Sequence, residues 1–193
     1  RTGVGHRPLR GIGFSRSFDC CRLAGQKNGA YYKMTTINLI YVGNIRENYL
    51  LAAVAEYEKR LSAYCRLVCT EIKEEKLPDD PSQAQTEAAM KKEGERILAV
   101  LPRKSMKIAL CVEGKQLSSE EFSSLIKNAE NSGFSQISFI IGGAFGLSEE
   151  VKKVCDFRLS LSKMTFTHRF ARILLLEQIY RAENIAAGGK YHK

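Results

Sequence analysis

The chain lacks several patterns by which common protein classes are identified. Its cysteines stand at positions 20, 21, 65, 69, 111 and 155, so no two form Cys-x-x-Cys, and none has a histidine beside it. That spacing gives little support to a structural zinc site or a thioredoxin-like motif. No apolar run approaches the roughly 18 residues that a membrane-spanning helix needs. We therefore expect no metal, no disulfide and no membrane contact.

Two nucleotide-binding classes are also disfavoured by what is missing. No Gly-Lys-Ser or Gly-Lys-Thr follows a glycine loop, which excludes a P-loop ATPase. The sequence Ile-Ile-Gly-Gly-Ala-Phe-Gly-Leu at 140–147 has the spacing Gly-Gly-x-x-Gly, which is not the dinucleotide fingerprint. No strand ending in an acid stands about 20 residues downstream, as an NAD site would need. A nucleotide-binding or NAD-binding protein is therefore the weakest hypothesis.

What the chain does have is enough apolar residues for a core. Of its 193 residues 44% are hydrophobic and 26% charged, which fits one ordinary domain. Lys and Arg number 30 against 21 Asp and Glu, a formal charge of +9. Such a balance favours polyanionic partners. Most of the excess lies in residues 1–33, which hold seven basic residues and one acid, Asp19.

Composition changes sharply at Met34. Residues 1–33 show no sustained periodicity, and we predict a disordered basic leader there. The leader is Arg-rich and acid-poor, as a transit peptide is, but it has no amphipathic helix pattern. The interpretation that we favour is that the native protein begins at Met34, because a foldable pattern starts directly after it. Residues 34–193 are then the functional domain, which we expect to be cytoplasmic.

From residue 37 onward the pattern alternates between strands and helices. Short apolar runs that end at glycine or at turns indicate buried strands, and apolar residues at helical spacing separate them. This alternation predicts an α/β fold, a mostly parallel sheet with helices on both faces. The strands are predicted at 37–42, 66–72, 106–112, 137–141 and 157–161, and the helices near 50–61, 82–101, 118–131, 148–154 and 168–186.

Three loops that leave predicted strands are candidates for a binding site. The glycine loop at 140–147 permits close backbone approach to a ligand, and the Gly-containing segment 113–120 also leaves a strand at its carboxyl end. Segment 159–169 is rich in hydroxyl-bearing and hydrophobic residues. Its backbone N–H and C=O groups can face a flat heterocycle, while Met164 and Phe166 pack against that heterocycle. Each loop is also compatible with an ordinary turn or helix entry.

The last helix and the tail suggest a partner. Apolar residues surround most of the helix circumference, which favours homodimerisation. One edge of the helix carries basic residues at spacings of three and four, namely His168, Arg169 and Arg172. This edge is either a binding site for an anion or a solvated basic face. After a Gly pair the chain ends in Tyr191, His192 and Lys193, residue types that can stack on a base and contact phosphate.

Seven segments together carry a family resemblance. They are Glu-Tyr-Glu-Lys-Arg-Leu at 56–61, Lys-Glu-Gly-Glu-Arg-Ile-Leu at 92–98, Gly-Lys-Gln-Leu-Ser-Ser-Glu at 114–120, 139–147, 159–168, Glu-Gln-Ile-Tyr-Arg-Ala at 177–182 and 191–193. In this order they closely resemble the ribosomal RNA large subunit methyltransferase H family, a small bacterial branch of the SPOUT superfamily. The resemblance covers residues 34–193 in one register.

The resemblance implies a fold, a cofactor and an assembly. The C-terminal part of the sheet would be threaded into a trefoil knot, one of the rare exceptions to unknotted chains. The protein would be a homodimer that binds S-adenosyl-L-methionine, without a metal. Carried onto matching positions, the cofactor contacts are Leu110, Gly142, Leu161, Ser162, Lys163, Met164, Thr165 and Phe166.

The family's reaction is methylation of the N3 atom of a pseudouridine in 23S rRNA on the assembled ribosome. His192 is our leading candidate for stabilising N3 as its proton leaves, with Arg172, Tyr180, Arg181 and Tyr191 positioning substrate. Two alternatives stay open: a methyltransferase of this fold with another RNA target, and a non-catalytic ribosome-binding module. Family members usually carry Pro where this chain has Thr167, a change that we expect to leave activity intact.

Overall fold

The computed structural model describes residues 26–27, 30–31 and 34–191. Strands β1 (Gln26–Lys27) and β2 (Ala30–Tyr31) pair antiparallel, with Gln26 opposite Tyr31, and belong to a unit separate from the rest of the chain. The remainder of the predicted leader lies outside the described residues. The domain boundary at Met34 therefore stays a prediction.

The main unit is built on one sheet of five strands, all parallel. Neighbouring strands follow the order β4-β3-β6-β5-β7, so every connection between adjacent strands is a crossover. β3 lies near the middle and pairs in register with β4, Thr36 against Arg66, and with β6, Thr36 against Gln136. The strands are β3 (Thr36–Val42), β4 (Arg66–Ile72), β5 (Met106–Gln116), β6 (Gln136–Ile141) and β7 (Phe157–Ser160).

Helices cover both faces of this sheet, as the alternating pattern predicts. One face packs against α1 (Asn48–Leu61), α3 (Ser119–Asn131) and α5 (His168–Ala186) through Leu39, Phe139 and their neighbours. The other face packs against α2 (Gln83–Val100) and α4 (Glu149–Lys153) through Ile40 and Ile140. Since successive strand residues face opposite sides, adjacent residues of β3 and β6 serve the two cores. The predicted α/β architecture is confirmed.

Side-chain caps account for the starts of α2, α3 and α5. Ser82 and Ser118 each form a capping box, in which the serine hydroxyl accepts the N–H of Gln85 or Glu121 and that residue's side chain accepts the serine N–H. Such boxes satisfy two otherwise unpaired amide groups at a helix start. Thr167 caps α5 by accepting the N–H of Phe170. These polar residues lie where the sequence predicts helices to begin.

The structure corrects one strand end. The sequence predicts that the third strand ends at Val112, but β5 continues to Gln116. Leu110 and Lys115 both pair with Leu159 of β7, so residues 111–114 form an excursion between two paired stretches. Gly114 permits it, because a Cβ there would lie 2.7 Å from the carbonyl carbon of Leu159. The trefoil knot implied by the resemblance stays a prediction.

Candidate active site

A cleft of about 310 Å³ lies beyond the carboxyl ends of β5, β6 and β7. Parallel α/β sheets place their ligands at this edge, where the loops that follow several strands meet. The volume is in the range of small-molecule sites. Its walls are the excursion of β5, the glycine loop after β6 and the segment that joins β7 to α5. Two of the loops that the sequence suggests, 140–147 and 159–169, therefore line one cleft, whereas segment 113–120 contributes only Glu113.

The glycine loop is folded back on itself. The amide of Gly146 donates to the carbonyl of Gly143 over 3.2 Å, and Gly146 has a φ of +88°, a region that favours glycine. A Cβ on Gly142 would lie 2.2 Å from the carbonyl oxygen of Gly146. The contact is with backbone, which cannot move aside as a side chain does. Gly142 is therefore required for the shape of this wall.

The glycine loop is supported from below by a buried carboxyl group. Glu93 of α2 is 7% exposed, and its Oε1 accepts the amide N–H of Glu75 over 2.9 Å. Burial raises the pKa of Glu93, and nearby Glu74 and Glu75 act in the same direction. Its Oε2 lies 3.1 Å from the point that a Cβ on Gly143 would occupy. A larger residue at 143 would displace this carboxyl group.

An ion-pair cluster forms the outer wall. Glu113 in the β5 excursion and Glu149 in α4 both bind the ammonium group of Lys152, the second over 3.1 Å. The Lys152 side chain is only 14% exposed, and its hydrogen bond holds the pKa of Glu113 below the usual value. The cluster ties the excursion to α4 and thereby fixes the width of the cleft.

The third wall is held by hydrogen bonds within the loop. The Ser160 hydroxyl donates to the carbonyl of Ser162 over 2.9 Å, and the Ser162 hydroxyl accepts the N–H of Met164 over 3.0 Å. Beyond this turn, Met164 and Phe166 are exposed apolar side chains on the cleft lining. The hydroxyl groups thus brace the backbone, while the apolar side chains face the space that a ligand would fill.

Most of the predicted cofactor residues are brought together here. Lys163 is exposed and is not among the lining residues. The sequence did not indicate Cys111 and Val112 as lining residues, because the β5 excursion that carries them depends on pairing with a strand some 45 residues later. The predicted residues that line the cleft are Leu110, Gly142, Leu161, Ser162, Met164, Thr165 and Phe166.

Three of the predicted substrate-positioning residues form a second cluster at the far end of α5. The Tyr191 ring contacts the Tyr180 ring edge-on at 4.8 Å between centroids, and the Arg181 guanidinium lies 4.8 Å from the Tyr191 centroid. Asn184 accepts the Tyr191 N–H over 3.0 Å. Tyr180 is 12 residues after His168, about 18 Å along a helix axis. The cluster is therefore well separated from the cleft.

The two remaining predicted residues differ in their placement. Arg172 is 7% exposed, lies 3.8 Å from the centroid of the Tyr41 ring and pairs with Glu58 over 3.7 Å. It is thus part of the packing between α5, α1 and β3 and is not among the cleft-lining residues. His192 lies outside the described residues, so its predicted role stays a prediction.

His168 lines the cleft; the sequence indicates it both as part of the candidate loop 159–169 and as part of a basic helix edge. Its Nε2 is buried and has no hydrogen-bond partner. The pKa of the His168 imidazole is lowered, mainly by burial. Arg169 acts in the same direction, whereas Glu74 and Glu47 raise the pKa. Arg169 itself is hydrogen-bonded to Glu47, which joins the start of α5 to the loop before α1.

The described residues offer no alternative chemistry by metal or thiol. Among them no group of three or more His, Cys, Asp or Glu side chains is arranged to hold a metal ion. Their four cysteines are free thiols, and burial raises the pKa of Cys65 to about 12, well above that of a reactive thiolate. Within the same residues no helix is both long and apolar enough to cross a membrane.

Comparison with a solved structure supports the fold. A crystal structure of a probable methyltransferase from Bordetella pertussis Tohama I covers 78% of this chain and 96% of its own, with a TM-score of 0.50 and 14% identity. At that identity the likeness concerns the fold alone.

Sequence relatives are much closer. The ribosomal RNA large subunit methyltransferase H of Carboxydothermus hydrogenoformans is 50% identical over 157 residues, which are 81% of this chain and 99% of the relative. The protein of that name from Clostridium kluyveri is 48% identical over the same shares. A family described as predicted SPOUT methyltransferase matches residues 35–192. The chain therefore belongs to the ribosomal RNA large subunit methyltransferase H family of SPOUT methyltransferases.

Proposed function

We propose that the protein transfers the methyl group of S-adenosyl-L-methionine to N3 of a pseudouridine in 23S rRNA on the assembled ribosome, in the cytoplasm. The observation that carries the proposal is the 50% identity over 99% of a relative of that name, and a cleft at the carboxyl ends of β5, β6 and β7 supports it. The predicted cofactor residues around that cleft would then bind the methyl donor.

The lining fits such a donor in size and chemistry. The cleft holds about 310 Å³, backbone groups of the glycine loop face it, and Met164 and Phe166 offer apolar surface to an adenine ring. S-adenosyl-L-methionine supplies an already activated methyl group, so neither a metal nor a covalent nucleophile is required. The work of the protein is to hold donor and acceptor in line and to accommodate the proton that leaves N3.

We further propose that the active form is a homodimer in which each tail reaches the cleft of the partner subunit. Large apolar side chains remain exposed around the cleft and the start of α5, which favours an apolar contact there. In this arrangement Tyr180, Arg181, Tyr191 and His192 would meet the substrate at the partner's cleft. The exposed side chains are Val112, Phe145, Met164, Phe166 and Phe170.

The direct test uses ribosomes from a strain that lacks the modification. Purified protein and S-adenosylmethionine with a labelled methyl group are incubated with them, and the methylated nucleoside is located by mass spectrometry. We expect one methyl group at N3 of a pseudouridine in 23S rRNA. Gly142→Ala, which places a Cβ against the Gly146 carbonyl, serves as the site-disrupted control.

Three other outcomes would redirect or reject the proposal. Methylation of a different nucleotide would support an enzyme of this fold with another RNA target. Ribosome binding without cofactor binding would support a non-catalytic module. A folded dimer that binds the cofactor and yet methylates no ribosomal RNA would contradict the proposed reaction.

A further inference from the structure

His168 carries a buried nitrogen that the fold alone does not explain. Its Nε2 has no hydrogen-bond partner, while the residue itself lines the cleft. A buried polar atom without a partner costs free energy, and such atoms in native proteins call for a functional or structural reason. A group that can bond to this nitrogen is therefore expected close to it.

A carboxylate approaches the same nitrogen from the other side. A Cβ built on Gly43 would lie 3.3 Å from His168 Nε2 and equally 3.3 Å from Glu74 Oε2. Gly43 has a φ of +77°, and the absence of a side chain leaves the space between the two groups open. Histidine and carboxylate thus converge on one point, although no hydrogen bond joins them in this structure.

Glu74 belongs to a second cleft that adjoins the first. This cleft of about 620 Å³ is lined by the loop after β3, the loop after β4, one side of α2 and the middle of the glycine loop, and it shares Ala144 and Phe145 with the cofactor cleft. The Glu74 side chain is exposed, and exposed side chains change rotamer readily. The ring accordingly stands between the cofactor cleft and a carboxylate of the second cleft.

The charges around His168 favour a neutral imidazole at neutral pH. Burial lowers its pKa from the ordinary value of 6.5; Glu74, from the loop after β4, raises it. Arg169 on its own helix lowers it, and Glu47 before α1 raises it. A histidine that is neutral at working pH can accept a proton, and an adjacent carboxylate stabilises the imidazolium that results.

Building on the proposed function, we propose that His168 is a catalytic base for the reaction, with Glu74 as its positioning residue. Glu74 holds the proton of the imidazole on Nε2, which leaves the Nδ1 lone pair to receive the N3 proton of pseudouridine. The N3–H bond breaks and the electron pair stays on N3. That pair forms the bond to the methyl carbon, and the carbon–sulfur bond breaks with its electrons passing to sulfur, which becomes a neutral thioether.

The first experiment needs neither cofactor nor ribosome. NMR of the full-length protein with ¹⁵N-labelled histidine reports the tautomer and the titration of His168. We expect the proton on Nε2, and in Glu74→Gln a titration shifted to lower pH, because a carboxylate that raises the pKa is lost. Glu71→Gln, a carboxamide substitution in the same second cleft, should leave the titration in place. An unchanged tautomer and pKa in Glu74→Gln would refute the pairing.

The second experiment measures methylation of ribosomes against pH. His168→Gln should lower kcat by about a hundredfold, within the usual range for a lost general base, while the KM for S-adenosylmethionine stays near wild type. In the wild type, kcat should decrease as the pH is lowered through the pKa of His168, which gives the pH profile an acidic limb. In Glu74→Gln this limb should move to lower pH, by the same amount as the NMR titration.

Two results of the second experiment would overturn the assignment. If His168→Gln keeps wild-type kcat while His192→Gln loses the acidic limb, the base is His192. If His168→Gln changes only the KM of the donor, His168 is a cofactor contact. Should His168→Gln fail to fold, the exposed substitution Glu74→Gln decides alone. Absence of methylation by the wild-type protein would reject the proposed function, whereas the NMR result on the pairing of His168 with Glu74 would still hold.

Discussion

At the scale of single residues, Thr167 caps the start of α5 at a position where the family resemblance predicts proline. Its hydroxyl accepts the N–H of Phe170 over 3.4 Å, and its φ of −62° is one that proline also adopts. The residue thus replaces the rigidity that proline gives a helix entry with a side-chain cap.

Two substitutions at this position test that interpretation. Thr167→Ala should lower the free energy of unfolding by about 1 kcal/mol, the usual cost of a lost N-cap. Thr167→Pro loses the same cap, but proline restricts the unfolded chain and thereby raises the free energy of unfolding by about 0.4–1 kcal/mol. Urea unfolding should therefore rank wild type above Thr167→Pro and Thr167→Pro above Thr167→Ala. A proline variant less stable than the alanine variant would show that the loop backbone does not accept proline.

At the scale of elements, the β5 excursion determines the cleft wall. Leu110 and Lys115 both pair with Leu159, and Gly114 lies so close to β7 that a Cβ would be 2.8 Å from the carbonyl oxygen of Arg158. We expect Gly114→Ala to separate β5 from β7 and to lower stability by about 1–3 kcal/mol, as overpacking does.

Thermal unfolding checks this expectation against a neighbouring substitution. Val112→Ala truncates a half-exposed side chain in the same excursion, so its effect should stay within about 0.5 kcal/mol. Equal stability of Gly114→Ala and wild type would mean that the two strands can separate at no cost, and that the excursion does not depend on glycine.

The elements also show what sequence can and cannot predict. The helix starts at Ser82 and Ser118 were predictable, since a capping box depends on residues three apart. The parallel sheet was predictable from alternating periodicity. The length of β5 was not predictable, because it depends on pairing with Leu159. The burial of Arg172 was not predictable either, because its helical spacing with His168 and Arg169 is equally compatible with a solvent-facing edge. Likewise the meeting of Glu74 with His168 depends on contacts almost a hundred residues apart.

At the scale of the whole molecule, the distance between cleft and tail is what supports the proposed homodimer. The hydrogen bonds of Asn184 to Tyr64 and to the Tyr191 N–H hold the tail at the end of its own α5. Gly189 packs directly against Asn184, where a Cβ would lie 2.2 Å from its Oδ1. A tail held at this end lies far from the cleft of the same chain, which supports the proposal that it acts at the cleft of a partner subunit.

Mixed dimers test this arrangement. Gly142→Ala disables the cleft and leaves the tail, whereas deletion of residues 191–193 removes the tail and leaves the cleft. Each variant alone should methylate ribosomes poorly. After unfolding together and refolding, random assortment should restore activity at about one quarter of the sites, because half of the dimers are mixed and each has one complete site. Mixing the two variants without exchange of subunits is the control. Failure to recover activity after exchange, with mixed dimers confirmed by native mass spectrometry, would place each tail on its own protomer and contradict the shared site.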